Sequence, residues 1–305
     1  MSEKDMTPFE KSTKLFAASS NLAAATEVVW NRTIYGADTG RTGMFQHYTT
    51  LSRVLEKIVT RRWWLTRGDS PKLNDLLEAV KYGCSNDTLM RQSYILCLGN
   101  GAGESVAMWG LYARNDPLAM RVSLPYVTVQ KWMGDLVIGN NLDVQDKNGH
   151  DIKASEIMEI LFRDVVYVAV QDKDVLDEFD IRRTNVISWE GSKCTPVNRS
   201  DLKREIRNPK YAAWLKDYEW QHERESRLCI RLKEELKDDA ISVAIPDYVI
   251  ADMRLTFSPW LEDESVRKSI QATIEAALKS IGVKWGKRPQ HFRRSVLKGA
   301  LNLKS

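Results

Sequence analysis

Glu223, Glu225 and Arg227 stand at alternate positions in the stretch Trp220-Gln221-His222-Glu223-Arg224-Glu225-Ser226-Arg227-Leu228-Cys229-Ile230. On extended backbone, residues i and i+2 face the same side, so this spacing aims two carboxylates at one spot with a guanidinium on the same row. Carboxylates held that close repel, which predicts a raised pKa for one of them and suits it to act as a base near neutral pH. On a helix the pair would point roughly 200° apart, at ~100° per residue, so the chemistry requires an extended segment. The apolar Leu228, Cys229 and Ile230 predict a loop or helix end running into a buried strand. The same charges also read as a solvated face. Arg227 reads first as the neutraliser of its carboxylate neighbours.

The other reactive side chains are dispersed. Cys84, Cys97, Cys194 and Cys229 form no C-x-x-C, and His47, His150, His222 and His291 show no metal-ligand spacing, so no metal is expected. With 43% hydrophobic and 28% charged residues the composition is that of a globular chain. No apolar run reaches the length of a membrane span. The opening Met-Ser-Glu-Lys-Asp lacks the basic-then-apolar order of a signal peptide, and the expectation is a cytoplasmic protein without membrane contact. The net charge of +4 is unevenly placed: from Lys279 onward there are eight basic residues and no acidic one, so the preceding body is net acidic. Lys284, Lys287, Arg288, Arg293 and Arg294, interleaved with Trp285, His291 and Phe292, suit phosphate contact and base stacking. The alternative is a tail that folds back as an edge strand, with Val283 and Trp285 buried and the arginines paired to the acidic body.

The elements that must position these groups follow from periodicity. Thr7-Pro8-Phe9-Glu10 predicts a helix start, and the Ala-rich run predicts its continuation to about Trp30. Met44 to Thr49 is strand-like, and Leu51, Val54, Leu55 and Ile58 recur at helical spacing. Strands are expected at 62–66, 93–98, 120–124, 165–170, 241–245 and 253–258. Helices are expected at 104–113, 126–138, 151–162 and 262–281, with a further one from Ser200 broken at Pro209 and resuming over 211–218. Residues 171–200 read as polar and irregular. On the 104–113 helix, Met108, Trp109 and Tyr112 share a face that reads as core or as a stacking platform. The fold class is α+β, with residues 1–43 as a helical extension, 44–260 as the main domain, and 261–305 as a helix and basic tail.

The order of these motifs resembles a bacterial family of uncharacterised domains with the pattern H-Y-T, L-x-x-I-L, an aromatic strand, L-N-D-x-x-E, M-W-x-x-Y and W-x-x-E-x-E-x-R. The matching residues are His47-Tyr48-Thr49, Leu55 and Ile58, Trp63-Trp64-Leu65, Leu73-Asn74-Asp75 with Glu78, Met108-Trp109 with Tyr112, and Trp220, Glu223, Glu225 and Arg227. The likeness covers about residues 44–260. Two departures are Asn115-Asp116-Pro117 in place of a small glycine-containing turn, and Ser226 in place of an aromatic.

That layout is in turn similar to the ADP-ribosyltransferase fold, a split mixed sheet of short strands with inserted helices. The resemblance implies NAD as co-substrate, with His47, Tyr112, Glu223 and Glu225 catalytic, and with His47, Tyr48, Thr49, Trp109, Tyr112 and Arg227 around the cofactor. In such an enzyme Glu225 stabilises the oxocarbenium-like sugar formed as nicotinamide leaves, and Glu223 handles the acceptor. The basic tail favours nucleic acid as the acceptor, with protein the next candidate. The setting implied is a toxin-like or phage-defence effector held by an antitoxin-type partner. A catalytically inactive nucleic-acid-binding or interaction module of the same fold is the other reading.

Overall fold

A computed structural model of the chain describes residues 26–31, 44–71, 73, 87–100, 103–113, 116–138, 142–168, 186–190, 193–196, 213–285 and 291–297. The elements begin with β1 (Thr26–Asn31), β2 (Met44–Thr50), α1 (Leu51–Thr60), β3 (Arg62–Arg67), α2 (Asp87–Gln92) and β4 (Ser93–Asn100). Then come α3 (Val106–Met108) with a π-helical turn over Trp109–Ala113, β5 (Ala119–Pro125), α4 (Tyr126–Ile138), β6 (Val144–Gln145), β7 (Ile157–Asp164) and β8 (Val166–Val168). The remainder is β9 (Val186–Glu190), β10 (Lys193–Pro196), β11 (Leu215–Asp217), a 3-10 turn over Tyr218–Glu223, β12 (Glu225–Leu232), β13 (Ala240–Ala244), α5 (Asp247–Asp252), β14 (Arg254–Phe257), α6 (Glu264–Ser280) and β15 (Phe292–Arg293).

The chain forms two compact units, each assembled from three stretches. The first takes Met1–Arg41, Trp64–Leu98 and Met133–Val243; the second takes Thr42–Trp63, Gly99–Trp132 and Ala244–Ser305. Both are mixed α/β with largely antiparallel strands, as an α+β reading requires.

In the first unit β12 lies antiparallel to β7, with Leu228 opposite Phe162 and Ile230 opposite Ile160. β4 neighbours β12 on its other side. β1 runs parallel to β7 and carries the β9–β10 hairpin on its far edge. Every residue of β12 is buried, which explains its apolar centre.

In the second unit β2 and β14 flank β5, both antiparallel to it. Their register sorts the side chains. Phe45, His47 and Thr49 lie opposite Leu124, Val122 and Met120, whereas Gln46 and Tyr48 lie opposite Ser123 and Arg121. Helix α1 packs on β2 and β5 through the buried Val54 and Ile58. Its N-terminus is capped by Thr50, which accepts from the Arg53 N–H at 3.4 Å. α6 packs on α1 and buries Ile270, Ile274 and Leu278. It begins at Asp263, whose carboxylate accepts from the N–H groups of Ser265 and Val266, and ends before Gly282 at φ +74°.

Several elements differ from expectation. Residues 26–31 form a strand rather than a helix, because Val28, Val29 and Trp30 are strand-favouring types and Thr26 to Val29 pair in parallel with β7 while Trp30 and Asn31 pair with β9. Within 151–162 only Ala154–Glu156 turns helically, and β7 follows. Ile157, Ile160 and Leu161 recur at helical spacing, but pairing with β12 overrides that local signal. Residues 186–190 and 193–196 form a hairpin where irregular chain was expected. Leu215–Asp217 is a strand parallel to β8, not helix. Among the described residues no helix is long and apolar enough to cross a membrane.

Candidate functional site

The alternate-residue row at 223–227 is only half extended. Glu223 closes the 3-10 turn, Glu225 opens β12, and between them Arg224 adopts left-handed backbone at φ +46°. The two carboxylates nevertheless meet, because Lys216 from β11 stands between them. Its Nζ pairs tightly with Glu223 Oε2 and lies 3.6 Å from Glu225 Oε2. Arg227, two residues along the strand, donates to the same Glu225 oxygen from Nε at 2.9 Å and Nη2 at 2.6 Å. Its Nη1 donates to the Ala213 carbonyl at 2.7 Å, and Trp214 Nε1 donates back to the Arg227 carbonyl at 3.1 Å. The Lys216 ammonium lies 4.8 Å from the centre of the Trp220 ring.

Lys216, Glu223, Glu225 and Arg227 are each at most 4% exposed, which excludes the solvated-face reading. Burial alone would raise the Glu225 pKa. The Arg227 guanidinium and the Lys216 ammonium outweigh it, helped by hydrogen bonds from Arg227 and the Cys97 thiol, and hold it down to about 2. The expected upward push from a neighbouring carboxylate is therefore overturned at Glu225, where the Arg227 guanidinium and then the Lys216 ammonium hold the charged form.

The H-Y-T strand presents its residues to two different faces. His47 sits on the apolar face with its ring 5.3 Å from Trp63 in an edge-on arrangement. Tyr48 sits on the opposite face, packed edge-on against Trp109 at 4.9 Å. Trp109, expected as a stacking platform, is fully enclosed and donates Nε1 to Glu104 at 3.0 Å. Tyr112 is half-buried on the π-turn beside the same cluster. Thus β2 puts His47 with Thr49 and separates them from Tyr48, Trp109 and Tyr112. Glu223, Glu225 and Arg227 belong to the first unit, and the H-Y-T strand and the π-turn to the second.

Sequence reading missed Lys216 and a polar group around Tyr48. Tyr48 Oη donates to Gln46 Oε1 at 3.1 Å and accepts from the Ser105 N–H at 3.0 Å. Arg121 donates to Gln46 Oε1 at 3.4 Å and to Thr256 Oγ1 at 3.0 Å. The signal was present in Met120-Arg121-Val122-Ser123-Leu124, where polar residues alternate within an apolar strand.

The tail follows the edge-strand alternative where it is described. β15 adds in parallel to β14, Val283 is 6% exposed, and Trp285 stacks on His291 at 4.5 Å. Arg294 pairs with Glu264 at 2.5 Å, while Lys284 and Arg293 are exposed. Lys287 and Arg288 lie outside the described residues, as do Asn74, Asp75 and Glu78 of the L-N-D-x-x-E motif.

A cleft of about 400 Å³ opens in the first unit, lined by Asp146, His150, Glu156, Lys233, Glu234 and Glu235 among others. It lies at the Leu232 end of β12, away from Glu225, and its excess of carboxylates disfavours a diphosphate. Compared with family models, curated proteins and solved structures, the chain matches none. The family resemblance therefore rests on the motifs quoted above.

Proposed function

We propose that the chain is an NAD-dependent ADP-ribosyltransferase-like enzyme acting on nucleic acid, or on protein, with toxin or phage-defence action as its setting. The observation that carries this reading is Glu225: a carboxylate kept ionised, pinned by Arg227 at the start of a fully buried strand, with the carboxylate of Glu223 on the same lysine. Loss of nicotinamide leaves positive charge on the ribose, and a fixed anion with no reorganisation left to make stabilises that charge most strongly. Lys216 is the looser of the two cationic partners of Glu225, so it is the partner a ribose hydroxyl would replace. Once freed from Lys216, Glu223 can take the acceptor's proton. His47 with Thr49 lies on the face of β2 opposite the cluster of Tyr112, so the ribose, amide and stacking roles that the resemblance gives these residues do not meet on one face.

A specific observation favours the second reading, a non-catalytic nucleic-acid-binding or interaction module. Both glutamates are nearly inaccessible and already matched by cations. Incubation with adenylate-labelled NAD plus RNA, DNA or cell lysate decides between them. The enzyme reading expects nicotinamide release and label transfer, both lost in Glu225→Gln. Nucleic-acid binding without any nicotinamide release establishes the module.

A further inference from the structure

Four arginines with described side chains are at least nine-tenths buried: Arg121, Arg227, Arg231 and Arg267. Three of them hold a carboxylate, Arg227 with Glu225, Arg231 with Glu159 and Arg267 with Glu264. Arg121 is different. It is 7% exposed, its guanidinium meets the neutral oxygens of Gln46, Thr256 and Tyr48 with no carboxylate paired to it among the described residues, and its Nε has no acceptor. Two residues along the same face of β5, Ser123 is 5% exposed and its Oγ also lacks a partner. The carboxylate of Glu104, ahead of the π-turn, is committed elsewhere, accepting from Trp109 Nε1, Ser295 Oγ and the Val296 N–H. A buried guanidinium without an anion is costly, and proteins seldom keep one that nothing completes.

We infer that the β2–β5–β14 face formed by Arg121 and Ser123, walled by Gln46, Tyr48 and Thr256, is an oxyanion site that takes the diphosphate of a nucleotide. The guanidinium fork offers the two parallel donors that phosphate oxygens accept, and the Ser123 hydroxyl adds a third from the same row. Tyr48 and Gln46 then serve the ligand from the H-Y-T strand, on the face away from His47. The site is covered by residues 103–113, which are held to its floor by two hydrogen bonds. Gln46 Nε2 donates to the Gly103 carbonyl at 2.9 Å, and the Ser105 N–H donates to Tyr48 Oη. Ligand entry displaces this cover. The choice of a diphosphate rests on the NAD reading above; the need for an anion does not.

The test uses the full chain in thermal unfolding and calorimetry with inorganic pyrophosphate, ADP-ribose and adenosine. Pyrophosphate and ADP-ribose are expected to raise the unfolding temperature, and adenosine to leave it unchanged. Arg121→Met removes the charge at similar volume. It is expected to unfold at the same or a higher temperature without ligand and to bind pyrophosphate about 10- to 100-fold more weakly, as for a lost charge-assisted contact. Ser123→Ala removes no hydrogen bond of the free protein and is expected to weaken pyrophosphate about 10-fold. Equal pyrophosphate affinity in wild type and in either variant overturns the site, as does the absence of any pyrophosphate effect on wild type. A lower unfolding temperature for Arg121→Met that Arg121→Lys restores without ligand also overturns it, by making the arginine structural. NAD turnover that Arg121→Met retains in full sinks the site and spares the enzyme reading. Pyrophosphate binding lost in Arg121→Met, in a protein that never consumes NAD, does the reverse.

Discussion

Around the start of β12, two buried glutamates and two buried cations close on one another, so the folded chain carries its own counter-charges. Around β5, Arg121 is buried to nearly the same degree and meets no carboxylate among the described residues. The first arrangement is complete without a ligand, and any chemistry at Glu225 must first loosen an existing pair. The second is incomplete as it stands. Buried charge is tolerated when its partner is built in, and it signals a missing partner when it is not.

The largest expected effect tests the closed cluster. Arg227→Met leaves Glu225 buried without its closest cation, held by the longer Lys216 contact and the Cys97 thiol, and should cost about 3–5 kcal/mol in denaturant unfolding. Adding Glu225→Gln to it should recover part of that loss, because the pair is coupled. A loss under about 1 kcal/mol in the single variant would mean that the cluster does not hold the carboxylate's charge in the folded state.

Next in size is catalysis. Glu225→Gln should lower ADP-ribosyl transfer at least ~100-fold, the effect of removing one electrostatic contact in the transition state. Because the change also unbalances Arg227 and Lys216, transfer must be measured below the variant's own unfolding temperature. Unchanged transfer there removes Glu225 from the mechanism. Glu223→Gln should reduce transfer more than NAD hydrolysis, and equal losses would contradict its acceptor role.

The acid limb separates the clusters more finely. Glu225 has a folded pKa of about 2 against an ordinary 4.5, so the stability it contributes is fully present above pH 4.5 and lost as pH falls toward 2. Wild type should lose stability across that window, and Glu225→Gln should lose less. Parallel acid curves would show that Glu225 is not ionised in the fold. Arg121→Met leaves this carboxylate in place and should keep the wild-type acid limb.

The smallest effects belong to the tail. Arg294→Ala breaks an exposed pair with Glu264 and should leave the unfolding temperature close to that of wild type. If the tail meets nucleic acid, Arg293→Ala should shrink the slope of log affinity against log salt by about 0.9, and Arg294→Ala by less because it already has a partner. An unaltered slope for Arg293→Ala would remove this exposed residue from any nucleic-acid contact.

Much of the fold was legible from local pattern. Leu51, Val54, Leu55 and Ile58 marked α1, and the Glu262-Asp263-Glu264 opening and Gly282 bracketed α6 closely. Leu228, Cys229 and Ile230 marked β12 as buried strand. The errors fell where local and long-range signals compete, at 26–31, 151–162 and 215–217, each drawn into a strand by a partner distant in sequence. Of the site, the sequence showed which residue types stood two apart, whereas the opposite facing of His47 and Tyr48, grouped together around the cofactor by the resemblance, came from the pairing of β2 with β5.

Sequence alone determined the helices with their own caps and periodicity, the apolar strand at β12, and the supply of carboxylates and cations, because these depend on neighbours a few residues away. The tertiary structure decided which charge meets which. It set Arg227 against Glu225 and put Lys216 between two glutamates that would otherwise repel, and so lowered the Glu225 pKa rather than raising it. It also brought Arg121 to Gln46 and Thr256, 75 and 135 residues away, with no carboxylate among them. Ionisation and pairing depend on distance and burial in space, which for these residues only strand pairing and packing establish.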